Sequence, residues 1–447
     1  MLPLPSAMEP VVLSLCVAFT EPTFDRFVAL CVGAILTRGR RTVTGALRAL
    51  DGTIPGHFSD YHRVFSRAAW SLWPLGKVLA STVLHFCPPD EPVLVPIDDT
   101  TAQHRGKCVY GKGRHYDAVR SSRTHVVWRW GHRWVVLAIS VLLPFTSRRW
   151  ALPVLAVLYR PEELSRTEKR RHKTPPCLAR QMMAVLIHWF RGRRFVFLGD
   201  GGYASHELAR FCSRHSRHAT LISRFHADAN LYAPPTQQKR LGRPRVKGAK
   251  LPSPQHVVEH STPTSATVKW YGGMTRRVKL VTGTGHWYKG GQGLVPVRWV
   301  YVHDIQGTHR DEYIYSTDLA LTAPKIVSWF TARWPIETTF QEVRAHLGFE
   351  TPRQRVAKSV LRTAPCLLGL FSLVAVAYAE HCRHHPIRAL STPWYKKAEP
   401  TFADALTTVR RLLWAETLFA EGSQSDVFQK LLPRFRKLLL DHLSRAA

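Results

Sequence analysis

Acidic residues are scarce in this chain. Of its 447 residues, 31 are Asp or Glu against 63 Lys or Arg, a net charge of +32. Solubility needs far less, commonly a magnitude of about 2–8 for a small domain. The surplus runs along the whole length, with no single basic tail, which points to a long polyanion lying across several faces of the fold. Eight cysteines are present without a C-x-x-C pair, so neither a disulfide framework nor a zinc ribbon is expected. The crowded His381, Cys382, His384 and His385 read as a solvated helix end. Also missing is a long apolar run: Cys366 to Ala379 is too short for a membrane span and reads as a buried helix. Val11 to Phe19 is apolar but follows Glu9 and no basic residue, a poor signal peptide.

What is present is core material. Apolar residues make up 45%, with 14 Trp and 20 Phe, enough for a packed protein of several structural units. Residues 1–88 read as helical: a helix from Phe24 to Leu36, an Arg-rich junction, Thr44 as N-cap, then a helical pattern over Ser59 to Trp73. DNA binding is expected of this region. Residues 89–225 turn to strands: Val93–Ile97, Thr124–Trp130 and Arg133–Leu143, with Gly131-His132 as a two-residue hairpin turn. A strand at Ala151–Tyr159, a helix at Cys177–Phe190, a strand at Phe195–Leu198 and a helix at Ser205–Arg214 follow, giving a mixed α/β sheet. Residues 226–305 read as a basic loop and a β-rich insertion, 306–385 as a return to α/β structure, and 386–447 as a helical C-terminal region.

Three carboxylate-bearing stretches stand at the ends of regular elements. Asp98 and Asp99 end an apolar strand; neighbouring strand residues point to opposite faces, so only one of the two can share a face with the other carboxylates. Asp98-Asp99-Thr100 and Asp99-Thr100-Thr101 both fit an Asp-x-Thr pattern, and both aspartates stay open as candidates. Asp200 ends the strand Phe195–Leu198, with Gly201-Gly202 expected to let the backbone turn sharply. Open α/β sheets place ligands at such carboxyl ends.

Glu337 has the most specific context. Phe330, Arg333, Glu337 and Arg344 are spaced by three, four and seven residues. Pro335 fits the first turn of a helix, so the shared face is secure only for Glu337 and Arg344, beside an apolar stripe of Ile336, Phe340, Val343 and Leu347 that ends at Gly348. Three carboxylates folded together repel, by about 4 kcal/mol per pair at ~4 Å and an effective dielectric near 20. Divalent cations relieve that repulsion and can turn water against a phosphodiester.

Together these stretches resemble the DDE transposases of bacterial insertion sequences, in the branch whose glutamate carries a Tyr-(2)-Arg-(3)-Glu-(6)-Lys signature. Here that signature reads Phe330, Arg333, Glu337, Arg344, with Phe for Tyr and Arg for Lys. Asp200-Gly201-Gly202-Tyr203 and Gly131-His132-Arg133-Trp134 look like the same branch. The resemblance implies a ribonuclease-H-like mixed sheet with helices, interrupted by the β-rich insertion and flanked by helical regions. It implies metal-dependent cleavage at transposon ends and strand transfer into target DNA. Asp98 or Asp99, Asp200 and Glu337 would hold two Mg²⁺, with Mn²⁺ as a substitute. Arg333 and Arg344 would clamp phosphates; Arg243 and Arg245, in a Gly-Arg-Pro loop, and Lys112 and Arg114 would touch DNA. The implied partners are terminal inverted repeats, target DNA and a second copy of the chain, with no membrane, in the bacterial cytoplasm at the nucleoid. Competing readings are a catalytically inactive DNA-binding derivative and another metal nuclease on the same fold.

Overall fold

A computed structural model describes the chain apart from residues 1, 51–52, 118–120, 123, 236–244, 388, 392, 420–422 and 446–447. Five helices come first: α1 (Glu9–Ser14), α2 (Glu21–Leu36), α3 (Val43–Arg48), α4 (Phe58–Ser66) and α5 (Leu72–Leu84). The helical pattern read over Ser59–Trp73 is therefore two helices, α4 and α5. Residues 67–71 separate them, and Ser71 accepts from the Trp73 amide to cap α5. The N-cap of α3 is Thr42, not Thr44: its side chain accepts from the Gly45 amide.

One 11-stranded sheet then forms the frame. Its strands are β1 (Val93–Gln103), β2 (Gly113–Tyr116), β3 (Trp128–Leu142), β4 (Arg149–Tyr159), β5 (Phe195–Gly199), β6 (Ala219–Arg224), β7 (Leu231–Tyr232), β8 (Thr264–Lys269), β9 (Thr275–Lys289), β10 (Gly293–Asp304) and β11 (Glu312–Ser316). The core order is β4-β3-β1-β5-β6: β3 is antiparallel to both of its neighbours, β1 and β4, while β5 and β6 run parallel to β1. That is the mixed, ribonuclease-H-like arrangement expected. The parallel crossovers carry α6 (Glu162–Thr167), α7 (Pro175–Trp189) and α8 (His206–Arg214). Beyond β6 the sheet continues through β11, β10 and β9, with β8 and β7 hydrogen-bonded to β9, so the β-rich stretch extends the same sheet. The short α9 (Pro254–Glu259) lies within it.

The chain returns through α10 (Ala323–Thr331), α11 (Pro335–Leu347) and α12 (Ala357–His384), and ends with α13 (Phe402–Leu412), α14 (Ser423–Lys430) and α15 (Pro433–Ser444). By length and composition α12 could cross a membrane, but its apolar window is 78% buried. Its Leu368, Phe371, Val374 and Ala375 pack in the main core with Leu152 and Leu155 of β4 and Leu79 of α5. Burying side chains of this kind contributes about 1.5–3 kcal/mol each.

The expected hairpin at Gly131-His132 does not exist. β3 runs unbroken from Trp128 to Leu142, with Gly131 paired to Gln103 on one side and Gly113 on the other. Glycine is required there for closeness rather than for turning: a Cβ would run into the Ala102 carbonyl of β1. Gly131→Ala is expected to lower unfolding stability by about 1–3 kcal/mol, read as a shift of the denaturant midpoint. An unmoved midpoint would remove the steric explanation.

Candidate active site

The register between β1 and β5 decides which aspartate faces the second one. Val93 lies beside Phe195 and Ile97 beside Gly199, so one further step sets Asp98 beside Asp200. Neighbouring strands are about 4.8 Å apart, and laterally paired residues point to the same face. Asp99 points the opposite way. Arg133 of β3 donates to it twice, Nε to Oδ1 at 2.7 Å and a terminal nitrogen to Oδ2 at 2.6 Å, and the Tyr203 hydroxyl donates at 3.2 Å. Burial, then the Asp99 and Asp98 charges, pushes the Tyr203 hydroxyl well above its ordinary pKa, so it stays a donor.

Asp200 ends β5 in extended conformation and closes the next turn itself, Oδ1 accepting from the Gly202 amide at 2.8 Å. Its carbonyl accepts from the Ser223 hydroxyl of β6 at 2.8 Å. The backbone turns here as expected, through a short 3-10 segment Gly201–Tyr203, and neither glycine takes a positive φ. Smallness is what counts, since a Cβ on Gly202 would press on the Asp200 carboxylate.

Glu337 sits in the first turn of α11, which opens at Pro335 and closes at Gly348, where φ is 59°. The stripe Ile336, Phe340, Val343 and Leu347 is buried as the spacing predicts. Phe330 belongs to α10, before the break, and packs in a second core cluster with Leu94, Val196, Leu198 and Ile326. A tyrosine hydroxyl in that apolar setting would need a partner.

Arg333 joins the carboxylates. It donates to Asp98 Oδ2 at 2.8 Å and to Glu337 Oε1 at 2.8 Å. Burial would lower its pKa, yet the charges of Asp98, Glu337 and Asp200 raise it. Asp98 remains under strain as an anion: burial first, with Asp200 and Asp99 adding repulsion against the help of Arg333, carries its pKa up to about 7. Arg344 lies further along α11, bonded to the Thr100 hydroxyl and to the Thr101 carbonyl at 3.2 Å, with Glu350 at 3.6 Å. Thr100 shares the Asp98 face of β1.

Asp98, Asp200, Glu337 and Arg333 thus form one cluster, with Arg344 adjacent. Lys112 and Arg114 stand apart beside the exposed Trp130 and Trp128. Arg245 is exposed, with no contact to the cluster among its described interactions. Arg243 lies outside the described residues. Unforeseen were Arg133 and Tyr203, which fix Asp99, and Tyr271, whose ring meets Trp334 at 5.5 Å and whose hydroxyl burial carries to about 12. Tyr203 follows Asp200-Gly201-Gly202, and that proximity was the available signal.

The donors are hard carboxylate oxygens, suited to Mg²⁺. Among the described residues, only His256, Glu259 and His260 bring three ligand atoms within 4.8 Å of one another. The carboxylates around Arg333 are spread more widely than a single ion allows, since ligands about 2.1 Å from one centre lie within about 4.2 Å of each other. A pair of ions about 3.5–4 Å apart tolerates the wider spread.

The family model for the DDE superfamily endonucleases matches residues 14–277, more than half of the chain. This chain belongs to the DDE superfamily of endonucleases. The matched span holds Asp98 and Asp200 and stops before Glu337. A solved structure titled as the cryo-EM structure of the piggyBac transposase synaptic complex with hairpin DNA aligns over 98% of this chain and 81% of that one, at 12% identity and a TM-score of 0.42. No curated protein sequence matches the chain. Endonucleases of the superfamily generally use divalent metal.

Proposed function

We propose that this endonuclease is a transposase of a bacterial insertion sequence, cutting DNA at the element's ends and joining the freed 3′ ends to target DNA. One observation carries the reading: Asp98, midway along β1, faces the same side as Asp200 at the carboxyl end of the adjacent parallel β5, and Arg333 ties that pair to Glu337. Asp98, Asp200 and Glu337 are the residues that would hold two Mg²⁺, or Mn²⁺ in their place. Bound there, the ions would supply Lewis acidity for water attack on the scissile phosphate and for the departing 3′ oxygen. Asp99 is the outer partner in this assignment, holding Arg133 of β3 and Tyr203 on the opposite face of β1. Arg333 neutralises the pocket at rest, and on DNA its fork can turn to a phosphate, a geometry guanidinium suits. Arg344 braces Thr100 of β1, two residues past Asp98 on the same face.

The net charge of +32 supports duplex DNA as partner, both the terminal repeats and the target. A homodimeric synapse is part of the proposal, as is action in the bacterial cytoplasm at the nucleoid; the eight cysteines, all free thiols, accord with a reducing compartment. The deciding assay supplies purified protein, Mg²⁺ and labelled DNA bearing the inverted repeats that flank the gene, and follows 3′-end release and its joining to a plasmid. Wild type is expected to do both and Asp200→Ala neither. Equal cutting by Asp200→Ala would sink the assignment, and cutting without joining would leave a nuclease rather than a transposase.

A further inference from the structure

The strongest unassigned feature is a ribbon beyond the carboxyl end of β1. β2 and the first residues of β3 pair there, Arg114 with Trp130, His115 with Arg129 and Tyr116 with Trp128. Side chains alternate between faces. Inward, His115 is buried and Arg129 is ion-paired with the buried Asp117, which anchors the ribbon. Outward, Tyr116 is 51%, Trp128 46% and Trp130 55% exposed. Cations are interleaved with them: Arg114 lies 4.5 Å over the Trp128 ring and Lys112 Nζ 5.5 Å from that of Trp130. Exposed aromatic residues on a sheet edge invite aggregation unless something uses them.

The geometry points to this ribbon as a stacking platform for unpaired DNA bases next to the cut. Register places it on the catalytic face. Asp98 lies beside Val136 and Thr100 beside Trp134; the same alternation continues through His132 to Trp130 and Trp128. From Val136 to Trp130 is about 20 Å at strand rise, or roughly six nucleotides at 3.4 Å each. The alternation of ring and cation suits a single strand: bases present π faces to the indoles, and the phosphates between them meet Arg114 and Lys112. In an intact duplex those faces are covered by neighbouring bases, so the ribbon selects DNA that has been opened or cut. The choice of DNA rests on the proposed function, but the binding itself needs neither metal nor chemistry.

The test is fluorescence anisotropy in EDTA with a short labelled oligothymidylate and, separately, a fully paired duplex. The Trp128→Leu, Trp130→Leu double variant keeps apolar bulk without a π face. It is expected to lose about 10- to 100-fold in affinity for the single strand, with duplex affinity moving less than about twofold. The matching double Phe variant is expected to restore most of the loss. Unchanged single-strand binding, equal loss on the duplex, or failure of Phe to rescue would each overturn the proposal. Because catalysis is absent in EDTA, a negative result here leaves cleavage in Mg²⁺ untouched, and a failed cleavage assay leaves this binding result standing.

Discussion

Asp98→Asn is expected to reduce Mg²⁺-dependent DNA cleavage by about 10²–10³-fold, the size of effect seen when one transition-state stabiliser is removed, while Asp99→Asn costs about 10-fold, as an outer partner does. The two residues are adjacent aspartates, so the composition changes identically. They differ only in facing: Asp98 toward Asp200, Glu337 and Arg333, Asp99 toward Arg133 and Tyr203. Single-turnover cleavage of end-labelled DNA at saturating protein separates this from altered binding. Equal losses from both variants would mean the facing argument fails, and a larger loss from Asp99→Asn would reverse the assignment.

A second large effect is expected in stability without metal. Asp98 has a pKa of about 7 in the folded chain, against about 3.9 for an unfolded aspartate. Between those values the folded state holds the extra proton, so metal-free stability falls as pH rises through the window. The full contribution of this one group is bounded at about 4 kcal/mol. Urea unfolding in EDTA at about pH 4.5 and about pH 8 should show the fall in wild type and a flatter response in Asp98→Asn. Mg²⁺ or Mn²⁺ should restore wild type at the higher pH and leave the variant largely unmoved, because ligand binding to the native state stabilises it by mass action. An identical pH response in the two proteins, or equal metal stabilisation, would show that Asp98 carries neither effect.

Much of this was legible in the residues, for identifiable reasons. The apolar runs before Asp98 and Asp200 are short and continuous, and such runs are central strands in a sheet covered on both faces, but β1 does not end at its aspartates as expected: it continues to Gln103, paired with β3. The Glu337 helix announced itself by Pro335 at its start, Gly348 at its end and the stripe between. The choice between Asp98 and Asp99 was not legible, because alternation gives two faces without saying which meets β5; only the pairing of Ile97 with Gly199 supplies that. Gly131-His132 misled because turn chemistry and close strand approach demand the same residue, and the nearby Ala102 carbonyl comes from another strand. Arg333 was read as a phosphate clamp, while the structure bonds it to two carboxylates, contacts bridging 235 positions in sequence for Asp98. No local pattern encodes such a pairing.

The wide sequence spacing of the cluster has a consequence for synthesis. A ribosome makes residue 98 long before residue 337, and the sheet cannot hold its last carboxylate until α11 has emerged and docked on β1 and β4. Products that stop before α11 therefore carry much of the basic charge without Glu337, and one that bound the DNA substrate of the proposed function would occupy it unproductively. Premature termination would then yield competitors of a chain that carries the whole cluster rather than weak copies of it.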